Sequence, residues 1–204
     1  NLRMSEKMKE KRRFIKEVID SMKCPVCKNI FLEKTSLLDG LYAYLCKSCG
    51  GYWMRYEDYW KWHENNLDLI EKFSGIKNYF PVKDTAQAII CPDCGRILIK
   101  YKVDNKLDFY VEHCGNCNGI WFDKNEWDNI RLNNLHGQIH NFFTKPWQKR
   151  IRDEAAKESL QDKYIKKFGR WDYERLKEMR EWIYKQEKKN EMLSYLLDED
   201  PYKI

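Results

Sequence analysis

No cysteine in this 204-residue chain is left over. All eight fall into four C-x-x-C pairs: Cys24/Cys27, Cys46/Cys49, Cys91/Cys94 and Cys114/Cys117. A secreted disulfide framework rarely confines itself to one spacing, so thiolates holding metal in a reducing, cytoplasmic compartment fit better. Long apolar runs are missing too. Nothing approaches the ~18 residues that a membrane-spanning helix needs, and no membrane partner is expected. The basic N-terminus has no apolar segment behind it, so no secretory signal is expected. There is no phosphate-cradling loop and no activated nucleophile, which leaves an enzyme and a small-molecule substrate without support. What is present is 43% hydrophobic and 15% aromatic residues, enough to build cores and to exclude disorder throughout.

The cysteines belong to a duplication. Cys24 and Cys27 map onto Cys91 and Cys94, and Cys46 and Cys49 onto Cys114 and Cys117. Gly51 maps onto Gly119 and Trp53 onto Trp121. Two cysteines three positions apart chelate one ion from a tight turn, and a second turn alongside completes a tetrahedron of sulfur. Four soft thiolates in that geometry suit Zn²⁺. The same tetrahedron also holds iron in rubredoxin-like sites, whereas a thioredoxin-like redox pair lacks its βαβ surroundings. About forty residues bury little apolar area, so bound metal supplies folding free energy directly. Between the turns, Ile30–Leu32, Leu41–Leu45, Ile97–Val103 and Phe109–Val111 read as strands, with Asp39-Gly40 and Asp104-Asn105 as turn signals. Knuckle, hairpin, knuckle is a zinc ribbon. Two Zn²⁺ ions, one per set of four cysteines, are therefore expected.

The glycines after the second knuckle suit a backbone that turns sharply and packs close to the metal. Trp53 and Trp121 read first as core, with a base-stacking platform as the alternative. The pattern Cys91-Pro92-Asp93-Cys94, Cys114, Cys117, Gly119, Trp121, Asp123, Glu126 resembles the TFIIB-type zinc-finger domain of prokaryotic proteins. Trp127 stands where that family usually has Leu. The first copy departs further, with Arg55 in place of the Asp and Asp58 in place of the Glu. The resemblance covers residues 24–62 and 91–130. It implies a zinc ribbon and a nucleic-acid-binding role.

The flanks read as helical. Residues 4–23 form a basic amphipathic stretch, capped by Ser5, with Met8, Ile15, Val18 and Met22 on one stripe. Residues 57–73 place Tyr59, Trp60, His63, Leu67 and Ile70 on one face. A helix restarts at Asn125 and buries Trp127, Ile130 and Leu135. After Pro146, the stripe Trp147, Ile151, Ala155, Leu160, Tyr164 and Phe168 runs to Gly169. Asp172 then caps a helix with Leu176, Met179 and Ile183 inside, and a short helix follows around Met192–Leu197. The expected fold is small α+β: two tandem zinc ribbons, each followed by a helix, with an N-terminal helix and a C-terminal helical segment. The expected divisions are 1–23 basic helix, 24–75 first ribbon, 76–90 linker, 91–140 second ribbon and 141–204 helical segment.

Charge bears on the partner. Each Zn(Cys)₄ site carries two net negative charges, so the formal +6 falls to +2 with both sites filled. Residues 1–23 carry +4, residues 24–144 carry −1 before metal and −5 after it, and residues 145–204 carry +3. The ribbons are thus not generic phosphate binders. A polyanion belongs on the flanking helices, and the contact candidates are Lys9, Arg12, Arg13 and Lys16, with Trp53 and Trp121 if they stack bases. Among other polar residues, His113 is not expected to be a ligand, because four cysteines already close the site. His136 and His140 are four apart, but Gly137 weakens any shared helix between them. Asp123 and Glu126 read as a helix cap rather than an acid–base pair. The leading expectation is a non-enzymatic, zinc-binding double ribbon that binds nucleic acid or a nucleic-acid machine in transcription or translation. The alternative is a protein–protein adaptor or assembly factor that docks through its ribbons and helical tail.

Overall fold

The computed structural model describes residues 22–66 and 79–203. Two compact units divide the chain, residues 1–151 and 152–204. The N-terminal helix, with Lys9, Arg12, Arg13 and Lys16, lies outside the described residues, as do Leu67 and Ile70.

In the first unit both ribbons share one six-stranded sheet, ordered β1-β2-β3-β6-β5-β4. The strands are β1 (Glu33–Leu38), β2 (Leu41–Leu45), β3 (Tyr52–Met54), β4 (Ile99–Lys102), β5 (Tyr110–His113) and β6 (Ile120–Phe122). Every neighbouring pair is antiparallel. The Asp39-Gly40 turn joins β1 to β2, with Gly40 at φ 76°. The strand expected at Ile30–Leu32 begins later, at Glu33. Phe31 makes only an isolated bridge to Lys23, because the first knuckle still occupies this stretch. The short strands after each second knuckle, β3 and β6, escaped the sequence reading because three residues show no measurable alternation.

Those two short strands are the seam. Tyr52 pairs with Phe122, Trp53 with Trp121 and Met54 with Ile120, so the repeats meet about a local two-fold through the two tryptophans. Trp53 and Trp121 are each 0% exposed. A Cβ added at Gly119 would sit 2.2 Å from the Trp53 ring, and one at Gly51 would sit 2.3 Å from the Trp121 ring. Each glycine is therefore the seat for the other repeat's indole. The expectation that these glycines turn the chain beside the metal needs correcting. The turning residues are their predecessors Gly50 and Asn118, at φ 77° and 57°. The tryptophans are core, and neither is exposed for base stacking.

Alternation along the strands separates two faces. On one, Leu41, Ala43, Met54, Val111, Ile120 and Phe122 pack against the helices. On the other, Trp53, Trp121, Tyr44 and Leu98 pack with the knuckle cysteines. Helix α1 (Tyr56–Asn65) buries Tyr59 and Trp62, so Trp62 takes the inner position assigned above to Trp60. Helix α2 (Glu126–Leu132) buries Trp127 and Ile130, and Trp127 meets Phe122 edge-on at 5.7 Å. A 3₁₀ turn (His136–Gln138) and helix α3 (Ile139–Phe142) add Ile139 and Phe142 to the same core. The described part of the linker lies along α2: Phe80 and Asn129 exchange two hydrogen bonds of 2.9 Å, and Asn125 Nδ2 donates to the Pro81 carbonyl.

Helix α4 (Lys145–Phe168) begins after Thr144, whose hydroxyl accepts the Trp147 backbone N–H, and Gly169 ends it at φ 81°. Helix α5 (Arg170–Tyr184) starts directly after Gly169, so Asp172 lies in its first turn and is not its cap. Helix α6 (Lys189–Leu197) completes the second unit. Ile151 and Ile183 are buried as expected, but Leu160, Tyr164, Phe168, Leu176 and Met179 are exposed.

Replacing Gly119 with Ala is expected to cost about 3 kcal/mol or more, because the new methyl must displace a fully packed indole. Gly115→Ala, where an added Cβ meets nothing within 4 Å, serves as the control and is expected to stay within about 0.5 kcal/mol. Denaturant unfolding of the zinc-loaded protein measures both, and similar stabilities for the two variants would refute the reciprocal seat.

Candidate metal centres

Four knuckles share one construction. The carbonyl of each leading cysteine accepts a backbone N–H from the residue after the second cysteine: Lys28, Gly50, Gly95 and Asn118. All four of these residues have positive φ, between 57° and 77°. Glycine takes that conformation freely and asparagine tolerates it; Lys28 carries the steric cost. The turn points backbone N–H groups back at sulfur, as with Cys27 N–H and Cys24 Sγ at 3.3 Å.

The knuckles converge in pairs, and all eight cysteines are free thiols. In the first set Cys24 and Cys49 sulfurs lie 3.7 Å apart, and Cys27 and Cys46 sulfurs 3.8 Å apart. In the second, Cys91–Cys117 is 3.5 Å and Cys94–Cys114 is 3.4 Å. A tetrahedron with metal–sulfur bonds of about 2.3 Å has edges of about 3.8 Å. The donor set, spacing and burial fit Zn²⁺, and the chain has two such sites, Cys24/Cys27/Cys46/Cys49 and Cys91/Cys94/Cys114/Cys117. With four protein ligands each site is closed, which is the structural and not the catalytic arrangement.

Residues 23–65 and 90–131 match the family model described as the transcription factor zinc-finger. The chain carries two copies of this zinc ribbon. No curated protein and no solved structure matches the chain.

Burial pushes Cys24 and Cys91 far up, and pushes Cys49 and Cys117 up to about 11. Exposed Cys94 is drawn down to about 7 by a backbone N–H bond at Arg96. Most of these thiols hold their protons at neutral pH until a divalent cation displaces them.

The two repeats satisfy their tryptophans differently. Trp121 Nε1 donates to Asp123 Oδ1 at 2.8 Å, within its own repeat. In the first repeat Arg55 stands at that position, and Trp53 Nε1 donates at 2.9 Å to Asp93 Oδ2 in the second repeat's knuckle. Arg55 holds the same carboxylate, with Nη2 at 2.8 Å and Nε at 3.1 Å from its oxygens. Asp93 was quoted above only as part of a motif; the signal for its role was the Asp-to-Arg exchange in the first repeat. Asp123 is not a helix cap as expected. Both its oxygens are taken by Trp121 and Thr85. Glu126 makes the expected half of a cap, accepting the Asp123 N–H at 2.7 Å.

His113 is no ligand. It is buried, lies parallel to Phe143 at 3.9 Å, and burial lowers it to about 4, so the ring is neutral. His136 and His140 share no helix face, since a 3₁₀ turn separates them from a common helix. His140 Nδ1 lies 3.2 Å from the Tyr59 hydroxyl, and His63 Nε2 donates to the Gly137 carbonyl. Among the described residues none of the three joins a metal-ligand set.

Elemental analysis is expected to find two zinc atoms per chain, and calorimetry in buffers of different ionisation enthalpy to count three to four protons released per zinc. Because those protons compete with the metal, affinity is expected to fall by about three orders of magnitude from pH 7 to pH 6. A pH-independent affinity would contradict thiol ligation. Asp93→Ala leaves the buried Trp53 N–H without its acceptor and is expected to cost about 2 kcal/mol; unchanged thermal stability would show that the cross-repeat lock carries no weight.

Proposed function

We propose that this chain is a zinc-stapled docking protein of nucleic-acid machinery, acting in the cytoplasm and without catalysis of its own, with residues 152–204 as its binding arm. The observation that carries this reading is the exposure of apolar side chains on that arm. Trp171 is 69% exposed, Trp182 56% and Leu197 85%, while Leu160, Tyr164 and Phe168 line the outside of α4. Ile183 is the buried hydrophobic residue of this unit among the described residues. Exposed aromatics in such density mark surfaces that bind other proteins. An apolar hollow between α5 and α6, lined by Met179, Trp182, Ile183, Met192, Tyr195 and Leu196, offers a seat for a partner's side chains.

The nucleic-acid setting is supported by the transcription factor zinc-finger match and by the basic ends of the chain. Among the described residues no helix is long and apolar enough to cross a membrane. Free cysteines gathered at metal sites favour a reducing compartment. A second reading, direct binding of nucleic acid through Lys9, Arg12, Arg13 and Lys16, rests on the +4 charge of residues 1–23.

Affinity capture from cells, with and without nuclease, separates the two. Docking predicts a protein partner that survives nuclease and moderate salt and is lost when Trp171 and Trp182 are both replaced by Ala. Capture that vanishes with nuclease, weakens steeply with salt and responds instead to Arg12→Glu with Arg13→Glu would overturn docking in favour of direct binding.

A further inference from the structure

A second kind of ligand set lies on the tryptophan side of the second repeat. One carboxylate oxygen from each of Asp84, Asp123 and Glu126 lies within 4.8 Å of the other two. Asp123 and Glu126 are buried and Asp84 is half-buried. Glu126 is wholly enclosed, and while its Oε2 accepts the Asp123 N–H, its Oε1 is buried with no hydrogen-bond partner. Asp84 meets that need only by sharing a proton with Glu126, since two ionised carboxylates have no hydrogen between them. We propose that Asp84, Asp123 and Glu126 form a third metal site, for an oxygen-preferring divalent cation of the Ca²⁺, Mg²⁺ and Mn²⁺ class.

Several independent features fit. A cation 2.0–2.6 Å from its oxygens spans ligand atoms up to about 5 Å apart, which accommodates this triangle. The set is all oxygen, the chemistry that selects hard cations over the thiolate-preferring zinc of the ribbons. Its carboxylates are held from behind, as outer-shell partners hold metal ligands. Asp123 accepts from Trp121 Nε1, from the Thr85 hydroxyl and from the Thr85 N–H, while Asp84 Oδ1 accepts the Tyr110 N–H at 3.4 Å. The local charge is also out of balance. A fourth carboxylate, buried Glu112, stands nearby, and Lys100 faces it at 3.4 Å. Four acids against that ammonium are too many to stay ionised in so buried a place, so the cluster keeps protons that a divalent cation would displace. Burial, followed by a hydrogen bond with Asp84 and the charge of Asp123, pushes Glu126 well above the usual carboxylate range. The first repeat has no equivalent, because Arg55 and Asp58 replace Asp123 and Glu126.

The test uses the zinc-loaded chain with Mn²⁺ and Tb³⁺ as probes. Calorimetry is expected to show one Mn²⁺ bound per chain with no loss of zinc. Tb³⁺ is expected to emit on tryptophan excitation, since Trp121 donates directly to a ligand carboxylate. Glu126→Gln is expected to weaken Mn²⁺ at least tenfold with zinc content unchanged. Asp84→Asn, at a less buried position, is expected to do the same and keeps the test open if the first variant fails to fold. The proposal fails if no Mn²⁺ binds at about 1 mM, or if both variants bind it as the parent does. It fails equally if Glu126→Gln stabilises a chain that binds no Mn²⁺, for then a proton shared between Glu126 and Asp84 accounts for the cluster.

Discussion

Trp53 and Trp121 face each other across the β3–β6 pair, and each ring lies on backbone that carries no side chain, at Gly119 and Gly51. That close approach lets two three-residue strands pair, and the pairing fuses two ribbons into one sheet. A single ribbon of about forty residues has too little apolar area to hold itself without metal. Joined, the two repeats share a helix-side core from Leu41 to Phe142 and a knuckle-side core containing both indoles. The cysteine cages and the sheet seam are therefore coupled, since the leading cysteines of both sites pack in the same cluster as the tryptophans.

The local two-fold is broken where the indole N–H groups find their acceptors. In the second repeat Asp123 supplies one from within. In the first, Arg55 cannot accept a hydrogen bond and instead holds Asp93 of the other repeat in place for Trp53. One exchange thus has two consequences. It ties the leading knuckle of the second repeat to the first repeat's strand, and it leaves buried carboxylates in the second repeat alone. A duplication whose halves were identical would have neither the cross-repeat tie nor the one-sided acidic cluster.

Much of this was legible in the sequence because metal ligation is local. C-x-x-C spacing is enough to define a knuckle, and a second knuckle about eighteen residues on defines the tetrahedron. Helix positions such as Trp127 and Ile130 were likewise readable from periodicity. What was hidden is non-local. The glycines looked like turn residues because a ring belonging to the other repeat, almost seventy residues away in sequence, cannot be seen from either one. Asp84 fell within the expected linker, and Glu112 lay just past the strand expected at Phe109–Val111. Only pairing of β5 with β6, and the linker's path along α2, bring them towards Asp123 and Glu126. The stripe on α4 misled for the opposite reason. Leu160, Tyr164 and Phe168 recur at helical spacing as core residues do, yet they face solvent.

That last mismatch bears on where function lies. Zinc at each site leaves two net negative charges among the ribbons. Phosphate groups gain nothing from approaching such a surface, and the aromatics that might have stacked on bases are sealed in the seam. The ribbon unit is thus poorly suited to grip a polyanion by itself, whatever the description of the family model it matches. The helical unit has a different character: balanced in charge, rich in exposed tryptophan and tyrosine, and nearly without a core of its own. Apolar side chains that share a helical stripe without burying one another satisfy the hydrophobic drive only when another surface covers them. That contrast supports the proposed reading, in which the metal centres build a stable body and recognition falls to the helices.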